Sequence, residues 1–88
     1  MAIYSILWKE SAQKELKRIN RPDIPLIIAA VERLSQNPFP VKSKKIIGAK
    51  YLYRIRIKSY RVIYSVYNDI LTIEILKVGH RKDIYKNK

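Results

Sequence analysis

Strict alternation over residues 51–67, YLYRIRIKSYRVIYSVY, limits this chain more than any other stretch. Tyr53, Ile55 and Ile57 fall on one parity, and Tyr60, Val62, Tyr64 and Val66 continue it after a break at Lys58-Ser59. Aromatic and β-branched residues at period two mark strands, and a two-residue break between two such runs marks a hairpin. The turn sets the register. Ile57 pairs with Tyr60, Arg56 with Arg61 and Ile55 with Val62. Arg54, Arg56, Lys58 and Arg61 share the other face, with two arginines directly opposite each other. Like charges in that relation destabilise a sheet. Such a conflict inside a well-patterned element marks either a solvated polar face or a functional one.

The flanking sequence supplies the other layer. Residues 2–9 read as a strand apolar on both faces, hence an interior or well-covered one, with Trp8 in the core. Residues 10–19 read as a helix with Ala12, Leu16 and Ile19 in its apolar stripe. Asn20-Arg21-Pro22 ends it. Asp23 is placed to cap a second helix, which carries Ile24, Ile27, Ile28, Val31 and Leu34 at helical spacing to about Gln36. Residues 41–50 read as a loop. Its lysines, Lys42, Lys44 and Lys45 among them, are either a solvated connector or phosphate contacts. Asn68-Asp69 makes a second turn, and residues 70–78 form a third strand. Tyr64 then pairs with Ile73, Val62 with Ile75 and Arg61 with Leu76. Glu74 falls two strands from Arg54, and Val78 comes beside Ser59. The tail, residues 79–85, therefore leaves the sheet at the Arg56–Arg61 end. The expected class is α+β: an N-terminal strand, then a two-helix hairpin packed on an antiparallel meander, then a short tail.

Charge and composition narrow the function. The chain has 88 residues, room for one domain over 1–88, and a net charge of +12. A polyanionic partner is expected, nucleic acid first, an acidic protein second and an anionic membrane surface third. No signal peptide or spanning segment is visible, and there is no cysteine, which fits a reducing compartment and a cytoplasmic location. A lone histidine without cysteine does not suit a zinc or iron site. With only Gly48 and Gly79 there is no glycine-rich phosphate loop. The carboxylates are scattered, with no pair placed for glycosidase chemistry. No cofactor is expected.

What remains is cationic, with an imidazole and a phenol near by. That set suits RNA cleavage in which the RNA's own 2′-OH attacks the adjacent phosphate. Fixed positive charge then stabilises the phosphorane, and an aromatic ring can hold an unstacked base. His80 is either a tail residue without a role or a proton donor, and Tyr85 is either an apolar anchor or a stacking platform. Ser65 and His80 lack any recognisable nucleophile context.

The segments YRIRIKSYRVIYSV and, after the third strand, VGHRKDIY together resemble the RelE family of toxin–antitoxin toxins. The order of strand, helices and meander is similar over essentially the whole chain. The resemblance implies a ribosome-dependent endoribonuclease that cuts mRNA in the decoding site and is silenced by a RelB-like antitoxin. It implies further that Arg54 and Arg56 stand where RelE proper has lysines that activate the nucleophile and bind phosphate. By the same resemblance Arg61 stabilises the transition state, Arg81 donates a proton or stabilises charge, and Tyr85 stacks on the mRNA base. Arg54 and Arg56 depart from the pattern, because guanidinium does not deprotonate and makes a poor base. His80 is therefore the first candidate for proton transfer. Lys42, Lys44, Lys45 and Lys58 are the expected substrate-binding cations. Two alternatives stand beside this reading: a ParE-like gyrase poison and a non-catalytic basic RNA-binding module.

Overall fold

The computed structural model describes residues 3–80. Five strands form one sheet: β1 (Ser5–Trp8), β2 (Ser43–Lys45), β3 (Leu52–Ile57), β4 (Tyr60–Tyr67) and β5 (Thr72–His80), in the order β1-β5-β4-β3-β2. The helices α1 (Glu10–Lys17) and α2 (Ile24–Arg33) follow β1. The β1–β5 pair is parallel and the other pairs are antiparallel. None of the helices of the described residues is long and apolar enough to cross a membrane.

Core formation follows the two periodicities. Ala12 of α1 and Ile27 and Val31 of α2, with Leu34 just beyond it, meet Val62, Tyr64, Val66, Ile73 and Ile75 on one face of the sheet. Tyr64 is the largest side chain buried there, and its hydroxyl donates to the Pro38 carbonyl at 2.8 Å. A buried phenol needs such a partner.

The β3–β4 register is as read from the sequence: Ile57↔Tyr60, Arg56↔Arg61 and Ile55↔Val62. Four expectations are corrected. First, β1 is a short edge strand, not an interior one. Tyr4, Ile6 and Trp8 pack on the core while Ile3 and Leu7 remain exposed. Second, the lysine-rich segment contains an edge strand, β2, paired to β3. Third, Asp23 makes no side-chain capping bond to α2. It is drawn to Lys58 and Tyr60 instead, as described below. Fourth, the second turn runs over Asn68–Ile70 and closes on Leu71 in the left-handed region at φ 47°. The longer turn slides β5 by two residues, so Tyr64 pairs with Ile75, and a bulge adds a third, so Val62 pairs with Val78.

The register breaks between Ile63↔Lys77 and Tyr64↔Ile75, leaving Leu76 as the bulged residue. A bulge reverses the alternation beyond it. Val78 accordingly joins Ile73 and Ile75 in the core. Its amide donates to Glu15 Oε1 of α1 at 2.9 Å, which ties α1 to the bulged strand.

Candidate functional site

The sheet face turned away from the helices carries the cations. Residues directly opposite in a ladder point to the same side. Arg54 lies between Lys44 on β2 and Ile63 on β4, and Ile63 faces Lys77 on β5. One step along, Arg56 faces Arg61, and Arg61 faces Gly79. Two adjacent cross-strand rows thus hold Lys44, Arg54 and Lys77, then Arg56 and Arg61. Gly79 brings no side chain beside Arg61. Glu74 does not stand near Arg54 as expected. The two-residue slide of β5 places it in the row Leu7–Glu74–Ser65–Leu52. Arg56 is exposed, Arg54 and Arg61 are half-buried, and the Nε of Arg61 is shielded from solvent. An array of fixed guanidinium groups on a rigid sheet can bind phosphate oxygens bidentately and stabilise charge developing on them.

The end of the hairpin is clamped from the helix side. Lys58 holds φ 54°, a left-handed conformation that a lysine adopts at a cost. Its ammonium meets Asp23 Oδ1 at 3.0 Å. The Tyr60 hydroxyl donates to Asp23 Oδ2 at 2.9 Å. One carboxylate therefore grips both sides of the turn. The bonds from Lys58 and Tyr60 hold the Asp23 carboxyl below its ordinary pKa, and the same bond to Asp23 pushes the Tyr60 phenol above its own. Burial raises the Tyr64 phenol further, to about 12.

His80 does not join the arginines in the way the sequence suggested. It is the last residue of β5, paired to Tyr60, and its ring packs edge-on against Tyr60 with centroids 5.8 Å apart. Tyr60 faces the helices, so His80 stands at the end of the sheet on the side opposite Arg56 and Arg61. Among the expected substrate-binding lysines, Lys44 aligns with Arg54, but Lys45 pairs with Tyr53 and takes the other parity. Lys58 is engaged by Asp23, and Lys42 is exposed beyond β2. Arg81 and Tyr85 lie outside the described residues. Sequence reasoning missed Lys77 on the arginine face and Asp23 as the clamp. For Lys77 the available signal was Val78, whose burial requires a bulge.

A family model described as the ParE toxin of type II toxin–antitoxin systems, parDE, matches residues 6–85. The chain belongs to this family of type II toxin–antitoxin toxins. Within it, the likeness is to RelE toxins. Toxin RelE3 of Methanocaldococcus jannaschii is 37% identical over 84 residues, covering 91% of this chain and 93% of that protein. The archaeal RelE–RelB complex from Pyrococcus horikoshii contains a chain 28% identical with a TM-score of 0.80, the match covering 90% of this chain and 96% of that one. The RelB–RelE antitoxin–toxin complex of Methanococcus jannaschii gives 29% identity and a TM-score of 0.78, covering 93% and 98%.

Proposed function

We propose that this chain is the toxin of a type II module and cleaves mRNA on the ribosome without a metal. The observation that carries this reading is the Arg56–Arg61 pair, set directly across the hairpin and flanked by Arg54, Lys44 and Lys77 on the same face. Two cations held side by side are unfavourable for the fold alone. They become favourable when a phosphate lies between them.

In the reaction the 2′-oxygen bonds to the adjacent phosphorus and the bond from phosphorus to the 5′-oxygen breaks. The upstream fragment ends in a 2′,3′-cyclic phosphate and the downstream one in a 5′-hydroxyl. One proton leaves the 2′-OH and one reaches the departing 5′-oxygen. Arg61 and Arg56 hold the non-bridging oxygens as negative charge grows, a role worth about 10²–10³ in rate for one well-aimed donor. Arg54, Lys44 and Lys77 bind the neighbouring phosphates. His80 stands on the side of the sheet end opposite the arginines, so groups supplied on the ribosome carry the protons at the scissile phosphate. Arg81 adds charge there, Tyr85 stacks on the base, and the ribosome fixes the in-line geometry. A RelB-like antitoxin holds the toxin inactive in the cytoplasm, a reading supported by the RelB complexes of the similar RelE proteins.

The ParE description of the matching family supports a second reading, a gyrase poison. End-group analysis of mRNA fragments released from programmed ribosomes separates the two, with a gyrase supercoiling assay in parallel. Cyclic phosphate and 5′-hydroxyl ends with normal gyrase are expected. Intact mRNA with inhibited gyrase transfers the chain to the second reading, and 5′-phosphate ends refute 2′-OH attack.

A further inference from the structure

The arginine face continues beyond its cations. On β4 the residues after Arg61 that share its parity are Ile63, Ser65 and Tyr67, and Tyr67 pairs with Thr72 of β5. On β3, Arg56 and Arg54 lead back to Leu52, which lies opposite Ser65. Tyr51 stands just before β3, where its carbonyl accepts from the Val66 amide at 3.1 Å. Its ring lies 5.9 Å from that of Tyr67, with the two planes tilted by 41°. Tyr51 is 55% exposed and Tyr67 is half-buried. An aromatic pair thus marks the far end of the face. Along β4, Tyr67 stands roughly 20 Å from Arg61 at the rise of a strand, a span of a few nucleotides of extended single strand.

Between the two ends, β3 and β4 carry no carboxylate. Glu74 stands one strand away, beside Ser65 on β5. Its charge disfavours a phosphate over β5 and leaves the way over β3 and β4. Lys44 beside Arg54, and the exposed Lys50 next to Tyr51 in sequence, add positive charge along that way. Cross-strand aromatic pairs help to hold any sheet together. Rings left to water at the end of a phosphate-binding track have a second use, because every base has a π-face to set against them. An acidic protein would meet the same cations, but its carboxylates gain nothing from the negative face of a ring.

We propose that Tyr51 and Tyr67 form a base-stacking subsite for RNA, a few nucleotides from the scissile phosphate. This rests on the reading of RNA as the substrate above. The subsite tolerates any base, and purines, with the larger face, gain most from it.

The test measures binding of the full-length chain to single-stranded oligoadenylate of about 12 nucleotides by fluorescence anisotropy. The strand is 2′-O-methylated throughout, so it cannot be cut. A strand of equal length and charge with abasic sugars is the control. Tyr51→Leu/Tyr67→Leu keeps apolar side chains without rings, and Tyr51→Phe/Tyr67→Phe keeps the rings. Thermal melts check that each variant is folded. The Leu variant should bind oligoadenylate at least about fivefold more weakly than wild type, the low end for one lost base stack. Its slope of log K against log salt should match that of wild type, because no phosphate contact is lost, whereas Lys44→Ala should lower the slope by about 1. The Phe variant should stay inside the fivefold margin, and all the tyrosine variants should bind the abasic strand as wild type does. A smaller loss in the Leu variant, or an equal loss on the abasic strand, overturns the subsite. So does a fivefold loss in the Phe variant, which transfers the contact to the hydroxyls. Cleavage by wild type on programmed ribosomes is read in parallel. If wild type cuts there while the Leu variant binds RNA undiminished, the subsite falls alone. If wild type does not cut and the Leu variant still binds more weakly, the subsite stands and the cleavage reading falls.

Discussion

Replacing Arg56 with threonine should stabilise the fold and disable the site in one step. Cβ atoms of directly opposed strand residues lie about 4.5–5.5 Å apart. Two unit charges at about 6 Å repel by roughly 0.7 kcal/mol at the dielectric constant of water and by nearly 3 kcal/mol at an effective value of 20. Arg56 is exposed, so the lower figure governs and relief of about 1 kcal/mol is expected. Its weak bond from Nε to the Lys58 carbonyl, at 3.4 Å, does not offset that. Threonine also suits a strand. In a domain of this size about 1 kcal/mol raises Tm by roughly 4–8 °C. Between 0.1 and 1 M salt the screening length falls from about 10 to about 3 Å, so most of the gain should vanish at high salt. Thermal melts of wild type and Arg56→Thr at both salt concentrations measure this. Cleavage on programmed ribosomes should fall about 10²-fold or more in the same variant. A lower Tm, or a gain that is indifferent to salt, refutes the electrostatic reasoning. Full activity removes Arg56 from the site.

Other expectations concern single groups. Tyr64→Phe leaves the buried Pro38 carbonyl without its donor and should cost about 1–3 kcal/mol, read as a lower Tm. Burial pushes the Tyr64 phenol up from its ordinary value of 10.0 to about 12, so its contribution is present below pH 10 and lost as the pH rises toward 12. Alkaline melts should therefore decline less steeply for Tyr64→Phe than for wild type. Asp23 has the opposite sign. Its folded pKa is depressed, so its contribution is present above the unfolded value of about 4 and disappears as the pH falls through the lower folded value. An Asp23→Asn variant should lack that acid-dependent loss in melts taken from pH 7 down to pH 2.5, and equal acid sensitivity in the two proteins would exclude the clamp.

The hairpin could be read in full because a two-residue turn and unbroken alternation leave one register open. With it came Arg54, Arg56 and Arg61 on a common face. The helical stripes were largely legible: Ala12 and Leu16 on α1, and Ile27 and Val31 on α2 with Leu34 just beyond it, reach the core, whereas Ile28 is exposed. β2 escaped notice because three residues, Ser-Lys-Lys, carry no apolar alternation. Lysines on an edge strand discourage further pairing and also hide the strand from pattern reading. The β5 register failed for two coupled reasons. Leu71 takes the left-handed turn position usually left to glycine or asparagine, which lengthens the turn. The bulge at Leu76 then reverses parity, so Lys77 reaches the arginine face and His80 the Tyr60 side. Asp23 was misjudged because a cap is a local inference, whereas its partners Lys58 and Tyr60 are 35 and 37 residues away.

The central claim is that the arginine face cuts mRNA on the ribosome. Its most direct test is primer extension on an mRNA held on programmed ribosomes, with wild-type protein and Arg61→Ala side by side, and with naked mRNA as control. A cut within the decoding-site codon is predicted for wild type only, and only when ribosomes are present. A cut of equal strength by Arg61→Ala, or no cut by wild type, would contradict the account.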